Sequence, residues 1–150
     1  GINLAAIYRP LNNKFINLMM ERIRKKYICK NQIKKGISGT KQLLSLFKKK
    51  TSIALMIDQR VSEGIKSNFF KQKAFTTTIP GQFVKKFKCK VVPIYIERIK
   101  DVNFQLTVHE PLSYSDNETI ESITLDLNNI LEKLILKNPD QWIWSHNRWK

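Results

Sequence analysis

The chain carries few side chains suited to chemistry. Its 150 residues hold two histidines, two cysteines and six arginines, against a background that otherwise uses lysine for its positive charge. Asp58 closes an apolar run, ALMID, and Gln59 and Arg60 follow at once. In an open α/β sheet, sites gather just beyond the carboxyl ends of strands. An aspartate there orients a base, binds a hydroxyl or pairs with an arginine; it is equally a common turn former. Arg9 also follows an apolar run, and Arg22 and Arg24 lie in a stretch of helical spacing. A guanidinium grips phosphate or a developing oxyanion well, because its planar fork donates two parallel hydrogen bonds. The competing reading for each arginine is a solvated helix face.

The histidines carry less. His109 adjoins Glu110 and Pro111, and His146 lies in the tail NPDQWIWSHNRWK, which also holds all three tryptophans. No Ser-His-Asp order, phosphate loop or paired-histidine metal motif can be drawn from them. Cys29 and Cys89 show neither metal nor redox spacing, so neither a metal nor a cofactor is expected.

A formal charge of +15 points to anionic partners: nucleic acid, anionic lipid or an acidic protein. Compositional drift toward lysine, isoleucine and asparagine is a second source of that charge, and it makes no site. Lys48, Lys49 and Lys50, and Lys85, Lys86, Lys88 and Lys90, form basic clusters. Their neighbours Phe47, Phe83 and Phe87 fall at core-facing spacing, which argues against a base-stacking platform. No apolar run reaches the ~18 residues of a spanning helix.

These residues need elements to hold them. Residues 2–8 read as a buried strand stopped by Pro10. Phe15, Leu18, Met19, Ile23 and Tyr27 recur at helical spacing over 12–29. Residues 34–40 read as a loop, 40–50 as a second helix, and 51–58 as a central strand of parallel type. Residues 59–81 show weak periodicity and read as a long functional loop anchored by Phe69, Phe70 and Phe75. A short helix follows Pro80-Gly81. Residues 90–99 and 103–112 read as an antiparallel pair, and Ser115 with Glu118 as a capping box. The box opens a long helix striped by Ile120, Ile123, Leu127, Ile130, Leu131 and Leu134. The order β-α-α-β-loop-α-β-β-α predicts a single α/β domain, a central mostly parallel or mixed sheet flanked by helices.

Four stretches in order, IYRPLNN, ALMIDQR, NFFKQKAFTTTIPGQF with KVVPIYIER, and NPDQWIWSHNRWK, resemble the lipid A biosynthesis acyltransferases. These are the late lauroyl- and myristoyl-transferases within the lysophospholipid acyltransferase superfamily. The resemblance spans essentially the whole chain. It implies that acyl carrier protein delivers a fatty acyl thioester at the cytoplasmic face of the inner membrane. A hydroxyl on a lipid A precursor attacks it, and a His paired with an acid five residues later is the general base. Neither His109 nor His146 has that partner. In the family the motif precedes the YRP stretch, so the chain is expected to be the C-terminal portion of one acyltransferase domain, its base upstream of Gly1, inactive alone. By resemblance Arg24 and Asp58 are active-site residues, and Arg9, Arg60 and Arg148 bind anionic substrate. The tail is expected to pack through Trp142 and Trp144, with Arg148 and Lys150 toward lipid phosphate. The family commonly has Gly after the two phenylalanines, where this chain has Lys71. The alternative is a non-catalytic basic module that binds nucleic acid or anionic membrane; the acyltransferase reading expects no nucleic acid.

Overall fold

The computed structural model describes residues 2–62 and 64–150, including the side chains of all of these but Ile37, Ser38 and Thr40. It divides into two compact units, Gly1–Met56 and Ile57–Lys150. Among the described residues the two units hold four α-helices and make a mixed α/β fold.

The first unit is built on a parallel sheet in the order β2-β1-β3, with β1 Leu4–Tyr8, β2 Asn31–Lys34 and β3 Ser52–Ala54. β1 is the central strand. Ala5 pairs with Asn31 on one side and Ile53 on the other. Helix α1, Lys14–Tyr27, joins β1 to β2, and α2, Ile37–Lys48, joins β2 to β3. Asn13 caps α1 by accepting from the amides of Phe15 and Ile16, and Arg24, Lys25 and Lys26 suit its negative end. Ala5, Ile33 and Leu43 form the buried apolar centre. α2 starts against the end of β2, where a Cβ on Gly39 would stand 2.0 Å from the Lys34 carbonyl oxygen.

Three expectations are corrected here. The 51–58 strand is an edge strand of three residues, because it leaves β1 after Ala54. β2 falls where no strand was expected: NQIK buries only Ile33, too little alternation to read. The apolar positions of α1 do not face the core. The half-buried side is Asn17, Met20, Glu21 and Arg24, while Phe15, Leu18, Met19, Ile23 and Tyr27 stay exposed.

The second unit contains hairpin β4 Ile65–Phe69 with β5 Gln72–Thr76, helix α3 Ile79–Phe87, hairpin β6 Ile94–Lys100 with β7 Asn103–Val108, and helix α4 Ile120–Ile135. The expected long loop is therefore largely a hairpin. Its inward residues include Ser67, Ala74 and Thr76, small or polar, and these hid the two-residue period. Phe70 and Lys71 make its two-residue turn, both at positive φ (50° and 61°), as the mirror-image hairpin turns demand. The strand pairs of this unit form two separate two-stranded sheets rather than extending the parallel one.

α4 is capped by Thr119 and Ser122, which exchange side-chain-to-backbone bonds, four residues past the expected Ser115. The Ser115 amide still donates to Glu118 at 2.6 Å, so that pair closes the preceding turn. Two apolar clusters hold the unit. Phe69, Ala74 and Ile135 gather Phe70, Leu131, Trp142 and Trp149. Val84, Ile123 and Leu127 gather Val91, Leu112 and Tyr114.

Candidate active site

Arg24 projects from α1 toward the carboxyl end of β1. Its guanidinium lies over the Tyr8 ring, 5.0 Å from the centroid. The Tyr8 hydroxyl donates to Glu21 Oε1 at 2.6 Å, and Asn17 donates to the same oxygen at 2.8 Å. Lys34, the last residue of β2, reaches that carboxylate at 3.6 Å. Five polar side chains thus meet where two parallel strands end, the usual place for a site in such a sheet.

The electrostatics follow from this packing. Burial, then the hydrogen bond to Glu21, pushes the Tyr8 hydroxyl up to about 12. The bond from Tyr8 and the one from Asn17 hold the Glu21 carboxyl below its ordinary value. Glu21 is the single acid among the first 56 residues, which carry thirteen Lys and Arg. One donor in this cluster is unspent: Arg24 Nη1 is sealed from water and has no hydrogen-bond partner. A buried guanidinium N–H without an acceptor is costly, and an anionic oxygen would remove that cost. Arg9 is exposed one residue past β1.

Asp58 belongs to the second unit. It is half-buried and lines a cleft of about 140 Å3 with Gln59, Trp142, Ile143 and His146. Arg60 is exposed two residues farther on.

Arg148 is not where the sequence placed it. Lipid phosphate was the expected partner, but the side chain is buried, 1% exposed. Its Nη1 donates to the carbonyls of Ile57 and, at 3.4 Å, Gln59, the two residues that bracket Asp58. Its Nη2 donates to Thr76 Oγ1 and Asn128 Oδ1, each at 3.1 Å. The guanidinium also stacks 4.4 Å from the Phe69 ring centroid. Burial lowers its pKa and the Asp58 charge opposes that shift. With four acceptors around it, Arg148 is a clamp that fixes the backbone on both sides of Asp58.

The tail packs through Trp142, as expected, and also through Trp149, whose indole donates to the Phe69 carbonyl at 3.0 Å. Trp144 is 45% exposed.

Arg24 and Asp58 therefore occupy different units, each with its own surroundings. Tyr8, Glu21 and Lys34 escaped the sequence reading, as did the role of Arg148. A lone acid amid thirteen cations was the available signal for Glu21. Among the described residues, no group of three His, Cys, Asp or Glu side chains is placed to hold a metal ion. No helix there is long and apolar enough to cross a membrane.

No curated protein matches the chain. The family model described as bacterial lipid A biosynthesis acyltransferase matches residues 1–150.

Proposed function

Because the chain belongs to the bacterial lipid A biosynthesis acyltransferase family, we propose that it moves a fatty acyl group from acyl carrier protein to a hydroxyl of a lipid A precursor at the cytoplasmic face of the inner membrane. The observation that carries this reading is the unpaired, buried Nη1 of Arg24 at the carboxyl end of β1 and β2. Attack on a thioester carbonyl places negative charge on its oxygen, and a donor already freed of water stabilises that charge without reorganising. Arg24 is the residue for that oxyanion, or for a phosphate of the acceptor beside it. Glu21 and Tyr8 hold the local geometry, and Lys34 adds positive charge.

Asp58 serves the same reaction from its cleft, orienting the acceptor hydroxyl or a cationic partner. Arg9 and Arg60, exposed just past β1 and Asp58, draw in the acidic carrier and the phosphorylated lipid. His109 has Tyr114 five residues on, so it does not supply the His–acid pair that the resemblance implies as general base.

The test uses the full-length protein with acyl-loaded carrier protein and lipid A precursor. Arg24→Ala and Asp58→Ala are each expected to lose acyl transfer while keeping the circular dichroism spectrum of the parent. Parental rates in both variants would refute the site.

A further inference from the structure

Among the described residues, none of matching character covers the outward side of α1. On a helix of roughly 3.6 residues per turn, Phe15, Met19, Ile23, Ile16 and Tyr27 share an arc of about 120°. All five are exposed, Phe15 to 86% and Tyr27 to 71%. None of the fourteen residues of α1 is fully buried. This helix therefore presents its apolar stripe outward and its polar residues, Asn17, Glu21 and Arg24, inward.

The charge around the stripe selects the occupant. Arg22 borders it, Lys25 lies farther round on the same side, and Lys26 falls within the arc, its ammonium 4.9 Å from the Tyr27 ring centroid. The one acid of the unit, Glu21, faces inward and is taken up by Tyr8 and Asn17. Residues 1–56 thus hold thirteen cations and one acid, +12 of the formal +15. An apolar stripe with a cationic margin and no outward acid fits an anionic bilayer surface. Aromatic and aliphatic side chains enter the acyl boundary there while lysine and arginine reach the headgroups.

The β6–β7 hairpin makes the contrast. Ile94 and Val108, and Ile96 and Leu106, are cross-strand pairs whose four side chains are all more than half exposed. Its neighbourhood mixes Arg98 and Lys100 with Asp101 and Glu110, so it lacks the one-sign margin.

We infer that α1 is the membrane-contact element of this protein, lying in the plane of an anionic lipid surface on its Phe15–Met19–Ile23–Tyr27 stripe. The inference shares the membrane setting of the proposed function and needs none of its acyl chemistry.

The test is co-sedimentation of the 150-residue chain with vesicles, which reads no acyl transfer. The chain is expected to pellet with phosphatidylglycerol–phosphatidylethanolamine vesicles and to stay in solution with phosphatidylcholine. Phe15→Gln/Met19→Gln is expected to weaken binding at least about tenfold. Arg22→Gln/Lys25→Gln/Lys26→Gln is expected to weaken it about a hundredfold, from three headgroup contacts. Leu106→Gln/Val108→Gln on the hairpin is expected to bind as the parent does. All these positions are exposed, so each variant should keep the parental melt.

Three results overturn the inference. The first is parental binding by the Phe15/Met19 variant, or an equal loss in the hairpin variant. The second is a dimer of the parent, without vesicles, that the α1 variant splits, which makes the stripe an interface between copies. The third is a DNA duplex that binds through the same residues while vesicles fail to compete. Acyl transfer by a full-length protein whose α1 variant still pellets with vesicles would leave the enzyme reading standing and remove only this one.

Discussion

Arg148 Nη2 and Asn128 Oδ1 meet at 3.1 Å in a place that water does not reach: the two residues are 1% and 0% exposed. Asn128 is satisfied on its other side as well, donating to the Asn68 carbonyl at 2.8 Å and to Thr76 Oγ1 at 3.1 Å. One buried polar pair thus joins α4, the β4–β5 hairpin and the tail.

Removing either partner strands the other in an apolar surrounding. Arg148→Ala is expected to cost about 3 kcal/mol or more, and Asn128→Ala about 1–3 kcal/mol, measured by urea denaturation. The double variant should cost less than the sum, because the second truncation removes a group already stranded. Strict additivity would show that the two do not act as one unit.

Lys71 stands at φ 61°, in the left-handed region where a side chain is strained and glycine is not. Lys71→Gly is expected to stabilise the chain by about 0.5–1 kcal/mol, a rise in Tm of about 1–4 °C by calorimetry. An unchanged or lower Tm would show that the Lys71 side chain offsets its backbone.

The Tyr8–Glu21 pair sets two pH legs. Tyr8 has its pKa raised from 10.0 to about 12, so its contribution is complete below pH 10 and fades as pH rises through about 12. Glu21 is lowered from 4.5, so its contribution is complete above that value and is lost as pH falls below it. Tyr8→Phe is expected to flatten the alkaline leg of Tm against pH and shrink the acid one. It should also remove one late-titrating phenol from the ultraviolet titration. Unaltered legs would remove the pair from the stability of the first unit.

Arg24→Lys tests whether the fork or only the charge matters. A lysine keeps the positive charge and loses the planar geometry. Acyl transfer by the full-length protein is expected to fall about a hundredfold, with the melt unmoved because Nη1 bonds nothing in the fold. A rate near the parent's would make Arg24 a source of field alone.

How far the sequence reached is clearest at α1 and at the β4–β5 hairpin. The spacing of Phe15, Met19 and Ile23 gave the helix but not which side would be covered, since apolar periodicity does not say whether protein or lipid is the apolar phase. In the hairpin, Thr76 points inward because Asn128 and Arg148 donate to its hydroxyl, and its inward neighbours Ser67 and Ala74 are small. A pattern rule that equates inward with hydrophobic cannot see such a strand. Asp58 was expected at the end of a strand, but β3 stops at Ala54 and Asp58 lines a cleft with Gln59, Trp142, Ile143 and His146. Arg148 was not legible, because burial of an arginine depends on four acceptors that are scattered from position 57 to position 128. β2 was missed for want of a second apolar residue.

The clamp on Asp58 also imposes an order of events during synthesis. Ile57 leaves the ribosome 91 residues before the arginine that its carbonyl accepts from. Until then Asn128 and Thr76 lack that donor as well, and the hairpin is held only by its bonds to α4. Contacts this distant in sequence close late, because the intervening loop must be ordered first. Nascent chains arrested short of Arg148 should therefore be cut readily by protease between positions 57 and 76, and those extended past it should resist.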